Sequence, residues 1–177
     1  MVKLNLPTLA IAALVPGAAA AAETPLSVAD ALFAKQDAHQ LSPADRTEIA
    51  ALLPMALQAS ELVSNLPGCA GKPVRASVAI ADMNLDGIPE VLVRAGNACT
   101  SGMTGATVWL IGRSPAGRWR AYLNVAAADF VLLESRVQGW NELGLMGRSE
   151  CLGVWQHSGD RFVFSRTITP DGRPCTP

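Results

Sequence analysis

The sequence predicts an α+β domain in which two or three N-terminal helices pack on an antiparallel β-meander of about seven or eight strands. Two observations support this fold class. Apolar residues between positions 26 and 66 recur at helical spacing, whereas those between 73 and 166 alternate with a period of two. In the second region, strand-like segments follow one another about every ten residues, a spacing typical of hairpins rather than of βαβ units.

The first 22 residues are typical of a secretory signal peptide. Lys3 supplies a positive charge, residues 4–15 are apolar and uncharged, and small residues fill positions 17–22. Cleavage is expected after Ala20 or Ala22. The apolar segment is shorter than the roughly 20 residues that span a bilayer. We therefore expect a single exported domain over residues 23–177, in the periplasm or outside the cell, with no membrane anchor after cleavage.

The helical region, residues 26–66, contains two serine–acid pairs that predict helix N-termini. Ser27 precedes Asp30 by three residues, and Ser42 precedes Asp45 by the same interval, so each pair predicts an N-cap with an acid in the first turn. Helical spacing continues after the second pair. Pro54 should kink this run or split it into two helices.

The β region, residues 73–166, is predicted as a meander closed by short polar turns. Gly-containing turns at 114–117 and 158–160 predict two hairpins, and residues 167–177 form an irregular tail that Cys175 would have to anchor. The strand candidates are residues 74–80, 91–93, 107–111, 119–123, 130–133, 142–146, 152–156 and 161–165.

The charge of the chain argues against some classes of binding partner. The formal net charge is −1 and no basic stripe exists, so nucleic acid and anionic membranes are not expected partners. The densest basic cluster, Arg113, Arg118 and Arg120, is expected on the solvent face of a hairpin.

Four cysteines in an exported chain predict two disulfides. They are Cys69, Cys99, Cys151 and Cys175. Their wide spacing contains no C-x-x-C pair, which argues against a zinc site or a redox motif. Three pairings are open. We favour Cys99–Cys151 with Cys69–Cys175, which would tie two loops together and pin the tail to the start of the sheet.

The stretch from 81 to 93 is the one place where residue type and spacing together indicate a specific chemistry. Oxygen-bearing side chains alternate through it, a glycine permits a sharp turn, and a backbone carbonyl could complete the set of ligands. The candidate metal ligands are Asp82, Asn84, Asp86, the carbonyl of Ile88, and Glu90. Crowded carboxylates repel one another without a cation, and the loop has no His or Cys, so calcium is favoured over zinc. Magnesium rarely uses an all-protein cage.

This stretch resembles the D-x-N-x-D-G-x-x-D/E loop of FG-GAP and VCBS repeats, the calcium-binding hairpins of integrin-type propellers. The resemblance covers residues 74–94 and implies a hairpin whose ligands are Asp82, Asn84, Asp86 and Glu90. An EF-hand is excluded because Val93 stands where a bidentate Glu is required. The loop occurs once, and a propeller needs at least four blades, so no propeller is expected. The alternative is a metal-free acidic turn, because Asp, Asn and Gly are ordinary turn residues.

Evidence for catalysis is weak elsewhere in the chain. His39 and His157 are expected in exposed turns, Ser101 lacks the G-x-S-x-G motif of hydrolases, and nothing sets the separation of Glu134 and Glu142. The tryptophans all lie in the β region, where filling the core is favoured over lining a glycan-binding face. They are Trp109, Trp119, Trp140 and Trp155.

The sequence therefore favours a non-catalytic periplasmic or secreted binding protein with one structural calcium loop. Its expected partner is a protein or glycan of the cell envelope, for example an envelope enzyme. The alternative is a metal-dependent envelope hydrolase in which Asp82 and Asp86 hold a catalytic metal. The two differ in coordination, because a catalytic metal needs an open position in a cleft and a structural metal is closed by the protein.

Overall fold

The computed structural model describes residues 26–36 and 39–175, so the predicted signal peptide lies outside the described residues. The described chain is mostly β-structure, with ten strands in three sheets and three short α-helices. The predicted fold class, helices packed on one meander, is therefore wrong. The elements in chain order are α1 (Val28–Phe33), α2 (Pro43–Ala51), β1 (Met55–Gln58), β2 (Glu61–Ser64), β3 (Arg75–Ala81), β4 (Glu90–Gly96), α3 (Ala98–Ser101), a 3-10 turn (Gly102–Thr104), β5 (Thr107–Arg113), β6 (Trp119–Ala126), β7 (Asp129–Val137), β8 (Trp140–Met146), β9 (Leu152–Ser158) and β10 (Arg161–Ile168).

Both predicted N-caps are present. Ser27 and Asp30 form a reciprocal capping box on α1, in which the serine hydroxyl accepts from the Asp30 amide and the Asp30 carboxylate accepts from the Ser27 amide. Ser42 and Asp45 repeat this arrangement on α2, with Pro43 in the first turn. None of the described helices is both long and apolar enough to cross a membrane.

The predicted helix beyond Pro54 is wrong, because residues 55–64 form the β1–β2 hairpin instead. Proline lacks an amide hydrogen and cannot continue the hydrogen-bond ladder of α2. Ala59 and Ser60 then adopt positive φ angles of 48° and 68°, which turn the chain back on itself. One residue of each strand of this hairpin is buried, Met55 on β1 and Val63 on β2.

The remaining eight strands form two four-stranded antiparallel sheets rather than one meander. The first sheet has the order β3-β4-β5-β6 and the second the order β7-β8-β9-β10. The chain changes sheets over two residues: the Ala127 amide donates to the Ala106 carbonyl, and the Ala128 amide donates to the Met146 carbonyl. The backbone hydrogen bonds therefore pass from the first sheet to the second between Ala127 and Ala128, and the two sheets separate at this point.

The first sheet is the middle of three layers. On β4, Val91 and Val93 face the helices and the β1–β2 hairpin, while Leu92 faces the second sheet. All three side chains are buried. Alternating side chains point to opposite faces, so a strand covered on both faces becomes continuously apolar, as 91–93 is.

Two disulfides are present, as predicted, but the favoured pairing is wrong. The bonds are Cys69–Cys99 and Cys151–Cys175. Each pair flanks a hairpin, β3–β4 or β9–β10, at the end opposite its turn. Antiparallel pairing brings the residues before one strand beside the residues after the next, so each bond closes the open end of its hairpin. Two disulfides indicate an oxidising compartment.

The candidate metal loop and the adjoining cleft

The acidic loop joins β3 to β4 and is anchored at its base to both sheets. Met83 is fully buried between the sheets. Its amide donates to Oε2 of Glu90 at 2.8 Å, and its carbonyl accepts from the Asn141 amide at 2.9 Å. The loop therefore leaves the first sheet at a rigid point, with its acidic side chains beyond it.

Three of the predicted ligands converge inside this loop. The Asp86 amide lies 3.2 Å from Oδ1 of Asp82 and 2.9 Å from Oδ1 of Asn84, so both oxygens approach one nitrogen. The Gly87 amide donates to Oδ2 of Asp82 at 2.9 Å, and Gly87 has a φ of 85°. Asp86 in turn accepts from the Ile88 amide at 2.7 Å. The side-chain oxygens are thus positioned by the loop's own backbone.

Glu90 and Ile88 stand apart from this group. The Glu90 side chain is 2 % exposed and is directed to the Met83 amide. Ile88 exposes its side chain, and its amide is used by Asp86. Gly112 makes room for Glu90, because a Cβ there would lie 3.0 Å from Cγ of Glu90. Across the described ranges, no three His, Cys, Asp or Glu side chains are grouped closely enough to hold a metal ion.

The electrostatics of the loop are dominated by negative charge. The pKa of Glu90 is raised to about 7, chiefly by burial; the Met83 amide opposes this rise, and the charges of Asp86 and Asp82 contribute to it. Near neutral pH, the Glu90 carboxyl is therefore partly protonated, whereas an exposed glutamate would be ionised.

A cleft of about 690 Å³ opens beside the loop. Four segments of the chain form its walls: the acidic loop, the β5–β6 hairpin near its turn, the start of β8, and the end of β9 with the β9–β10 turn. Its volume lies within the range of small-molecule binding sites. The residues that supply its chemistry are Asn84, Asp86, Arg113, Arg120, Tyr122, Trp140, His157 and Asp160.

Aromatic rings form one wall of this cleft. Trp140 and His157 are stacked, with ring centroids 4.6 Å apart, and Tyr122 lies 5.5 Å from Trp140. His157 is half-buried on β9, so its prediction as an exposed turn residue is wrong. Burial lowers the pKa of His157, and its Nδ1 has no hydrogen-bond partner among the described residues. The imidazole is therefore neutral near neutral pH.

The arginines of the cleft are held in place by specific contacts. Arg120 donates to the Asp160 carbonyl at 2.7 Å and lies 4.9 Å from the Tyr122 ring centre. Arg113 donates to the Gly117 carbonyl at 2.7 Å and pairs with Asp45 of α2. Sequence reasoning placed both arginines on a solvent face. Local pattern could not reveal the cleft, because its residues come together only when the two sheets pack.

The other candidate residues serve the fold. Trp109 and Trp119 are buried in the core, while Trp155 is half-buried against Phe164. Glu142 is buried in an ion pair with Arg166. Hydrogen bonds from Arg166 lower the pKa of Glu142, so it is an ionised structural carboxylate.

Ser101 Oγ shares hydrogen bonds with the hydroxyls of Thr100 and Thr107, and His39 lies in an exposed turn.

Comparison with known proteins adds no assignment: no protein-family model, no curated protein and no solved structure matches this chain.

Proposed function

We propose that this chain is a non-catalytic binding protein of the periplasm or the extracellular space, in which the 82–90 loop holds a structural calcium ion. The observation that carries the proposal is the convergence of Asp82 and Asn84 on the Asp86 amide. A carboxylate oxygen that accepts one N–H bond keeps a lone pair for a cation. The signal-peptide pattern and the two disulfides support an exported protein.

Asp82, Asn84 and Asp86 would hold the ion, with the Ile88 carbonyl and Glu90 completing the set that the FG-GAP-like spacing implies. Calcium prefers six to eight oxygens and tolerates irregular geometry, which suits carboxylates and an amide on one loop. The ion would neutralise the loop and stiffen the β3–β4 connection. The partner to be bound is a protein or a glycan of the cell envelope.

A metal-dependent hydrolase using Asp82 and Asp86 is not favoured. Asp86 borders the cleft, but its carboxylate accepts from both the Ile88 amide and the Asn84 side chain. Asp82 is likewise used by the amides of Asp86 and Gly87. Both carboxylates are therefore positioned by the loop's own groups, which suits a metal enclosed by the loop better than one with the open coordination position that catalysis needs.

Calcium-dependent melting of the chelator-stripped protein tests this proposal. Extracellular calcium sites bind with dissociation constants of roughly 0.1–1 mM, so about 10 mM calcium should stabilise the protein by about 1.4–2.7 kcal/mol. For a chain of this size, that corresponds to a rise in Tm of roughly 3–10 °C. Replacing Asp82 and Asp86 together with asparagine should abolish the rise.

Asp129→Asn is the matched control, because Asp129 is an exposed aspartate on β7, outside the loop. It should melt with the same calcium response as the wild type. An unchanged wild-type Tm in excess calcium would refute the metal site, and an equal rise with magnesium would refute the preference for calcium.

A further inference from the structure

The cleft beside the acidic loop has a floor and walls that are fixed before any ligand arrives. Tyr122 is buried on β6, and its hydroxyl donates to the Arg113 carbonyl at 2.9 Å. Trp140 is braced by His157 on one side and by Phe162, whose ring meets it edge-on at 5.9 Å. Because these side chains are already ordered, a ligand would lose little free energy in organising them.

The aromatic wall suits a ligand with an apolar face. Trp140 is half-buried and lines the cleft, as do Tyr122 and His157. A pyranose ring presents a face of C–H groups that packs on an aromatic ring and removes apolar surface from water, while its hydroxyl groups point outward to polar partners. A tryptophan beside polar side chains is the arrangement that such a ring requires.

The positive and negative charges of the cleft balance one another, and this balance limits the class of ligand further. Arg113 pairs with Asp45 of α2, Arg120 pairs with Asp160, and the proposed ion would neutralise Asp86. A strongly anionic ligand would face the Asp160 carboxylate, and a cationic ligand would face the two guanidinium groups. A neutral ligand with many hydroxyls meets no such repulsion, because each hydroxyl both donates and accepts hydrogen bonds.

We propose that this cleft binds a neutral oligosaccharide, with Trp140 supporting a sugar ring and Arg120 donating to its hydroxyls. This inference rests on the proposed function of a non-catalytic binding protein and names the class of its ligand. Arg120 keeps its side chain partly exposed while it is tethered to Asp160 and Tyr122, so its remaining N–H groups face the cleft at a defined place.

Titration calorimetry of the calcium-loaded chain with chitotetraose, cellotetraose and mannotetraose tests the inference. At least one neutral tetrasaccharide should bind saturably. Trp140→Phe and Arg120→Gln should each weaken that binding about tenfold, or about 1.4 kcal/mol, because the first reduces the aromatic surface under the sugar and the second removes a charge-assisted contact. Arg120 is partly exposed, so Arg120→Gln remains informative even if Trp140→Phe fails to fold.

Trp155→Phe is the matched control, since Trp155 is a half-buried tryptophan of the same sheet that packs on Phe164 outside the cleft. It should bind the sugar as the wild type does. If none of the three sugars binds, or if Trp140→Phe and Arg120→Gln leave binding unchanged, the saccharide site is refuted. Binding of tetragalacturonic acid at least about tenfold more tightly than the neutral sugars would refute the neutral class.

These outcomes are separate from failure of the proposed function. A calcium-dependent Tm without sugar binding refutes the saccharide inference alone and leaves a protein partner for the binding function. Release of reducing ends from a bound sugar would refute the non-catalytic function, while the effect of Trp140→Phe would still locate the sugar in the cleft.

Discussion

Replacing Glu142 with glutamine measures how much a buried charge stabilises the second sheet. The Glu142 side chain is 2 % exposed. It accepts hydrogen bonds from Nη1 and Nη2 of Arg166 at 2.5 and 2.7 Å and from the Ser135 hydroxyl at 2.6 Å. Glutamine keeps the shape, but it loses the charge and turns an N–H₂ group toward the donor groups of Arg166 and Ser135.

The expected loss of unfolding free energy depends on how exposed Glu142 and Arg166 are. Breaking a fully buried ion pair costs about 3–5 kcal/mol, whereas an exposed pair contributes about 0–1 kcal/mol. Arg166 is 46 % exposed, so solvent screens its end of the pair and the cost should lie between these limits. We expect Glu142→Gln to lower the free energy of unfolding by about 2–3 kcal/mol and the Tm by roughly 4–12 °C.

The pH dependence of this loss gives the prediction a second readout. Hydrogen bonds from Arg166 lower the pKa of Glu142 below its ordinary value, burial opposes this shift, and the bond from Ser135 adds to it. The carboxylate therefore stabilises the fold above the unfolded pKa, and this contribution is lost as the pH falls through the lower folded pKa. The gap between wild type and Glu142→Gln should narrow in acid.

Urea denaturation from about pH 7 to about pH 2 measures both effects. Glu134→Gln is the matched control, because Glu134 is an exposed glutamate on the neighbouring strand β7. The reasoning is refuted if Glu142→Gln costs no more than Glu134→Gln near neutral pH. A gap that stays constant into acid would also contradict it, because the loss would then arise from shape rather than charge.

Two further predictions concern a disulfide and a glycine at the open end of the β3–β4 hairpin. Replacing Cys69 and Cys99 together with alanine opens a closure of 30 residues and should cost about 3–4 kcal/mol in urea denaturation; an unchanged midpoint would refute this disulfide. Gly96→Ala should cost roughly 1–3 kcal/mol, since its φ is 147° and a Cβ would lie 2.5 Å from Oγ of Ser101. Gly147→Ala, where a Cβ meets open space, should change the same midpoint little.

Structural features could be predicted from the sequence where the interacting residues lie close together along the chain. The capping boxes at Ser27 and Ser42 each link two residues three apart, so the sequence already contains both partners. The β region and its antiparallel hairpins follow from alternation and glycine turns in the same way. The convergence of Asp82, Asn84 and Asp86 also belongs here, since alternate positions of one loop can turn inward together.

The sequence misled where distant packing overrides local preference. Residues 55–64 carry helical spacing but form a hairpin, because Pro54 ends α2 and the core accepts Met55 and Val63 from strands. The disulfide pairing was missed for a related reason: bonds across open hairpin ends depend on knowing that β3 pairs with β4, and β9 with β10.

The sequence by itself determined the antiparallel hairpins of the region after residue 73, the two N-capped helices, the presence of two disulfides and the position of the acidic loop. Each depends on residue type or on spacing of a few residues. Tertiary structure alone decided that the strands divide into two sheets at Ala127 and Ala128, and that Arg120, Trp140 and Asp86 border one cleft. Such contacts join residues from separate strands, and only the packing of the two sheets brings them together.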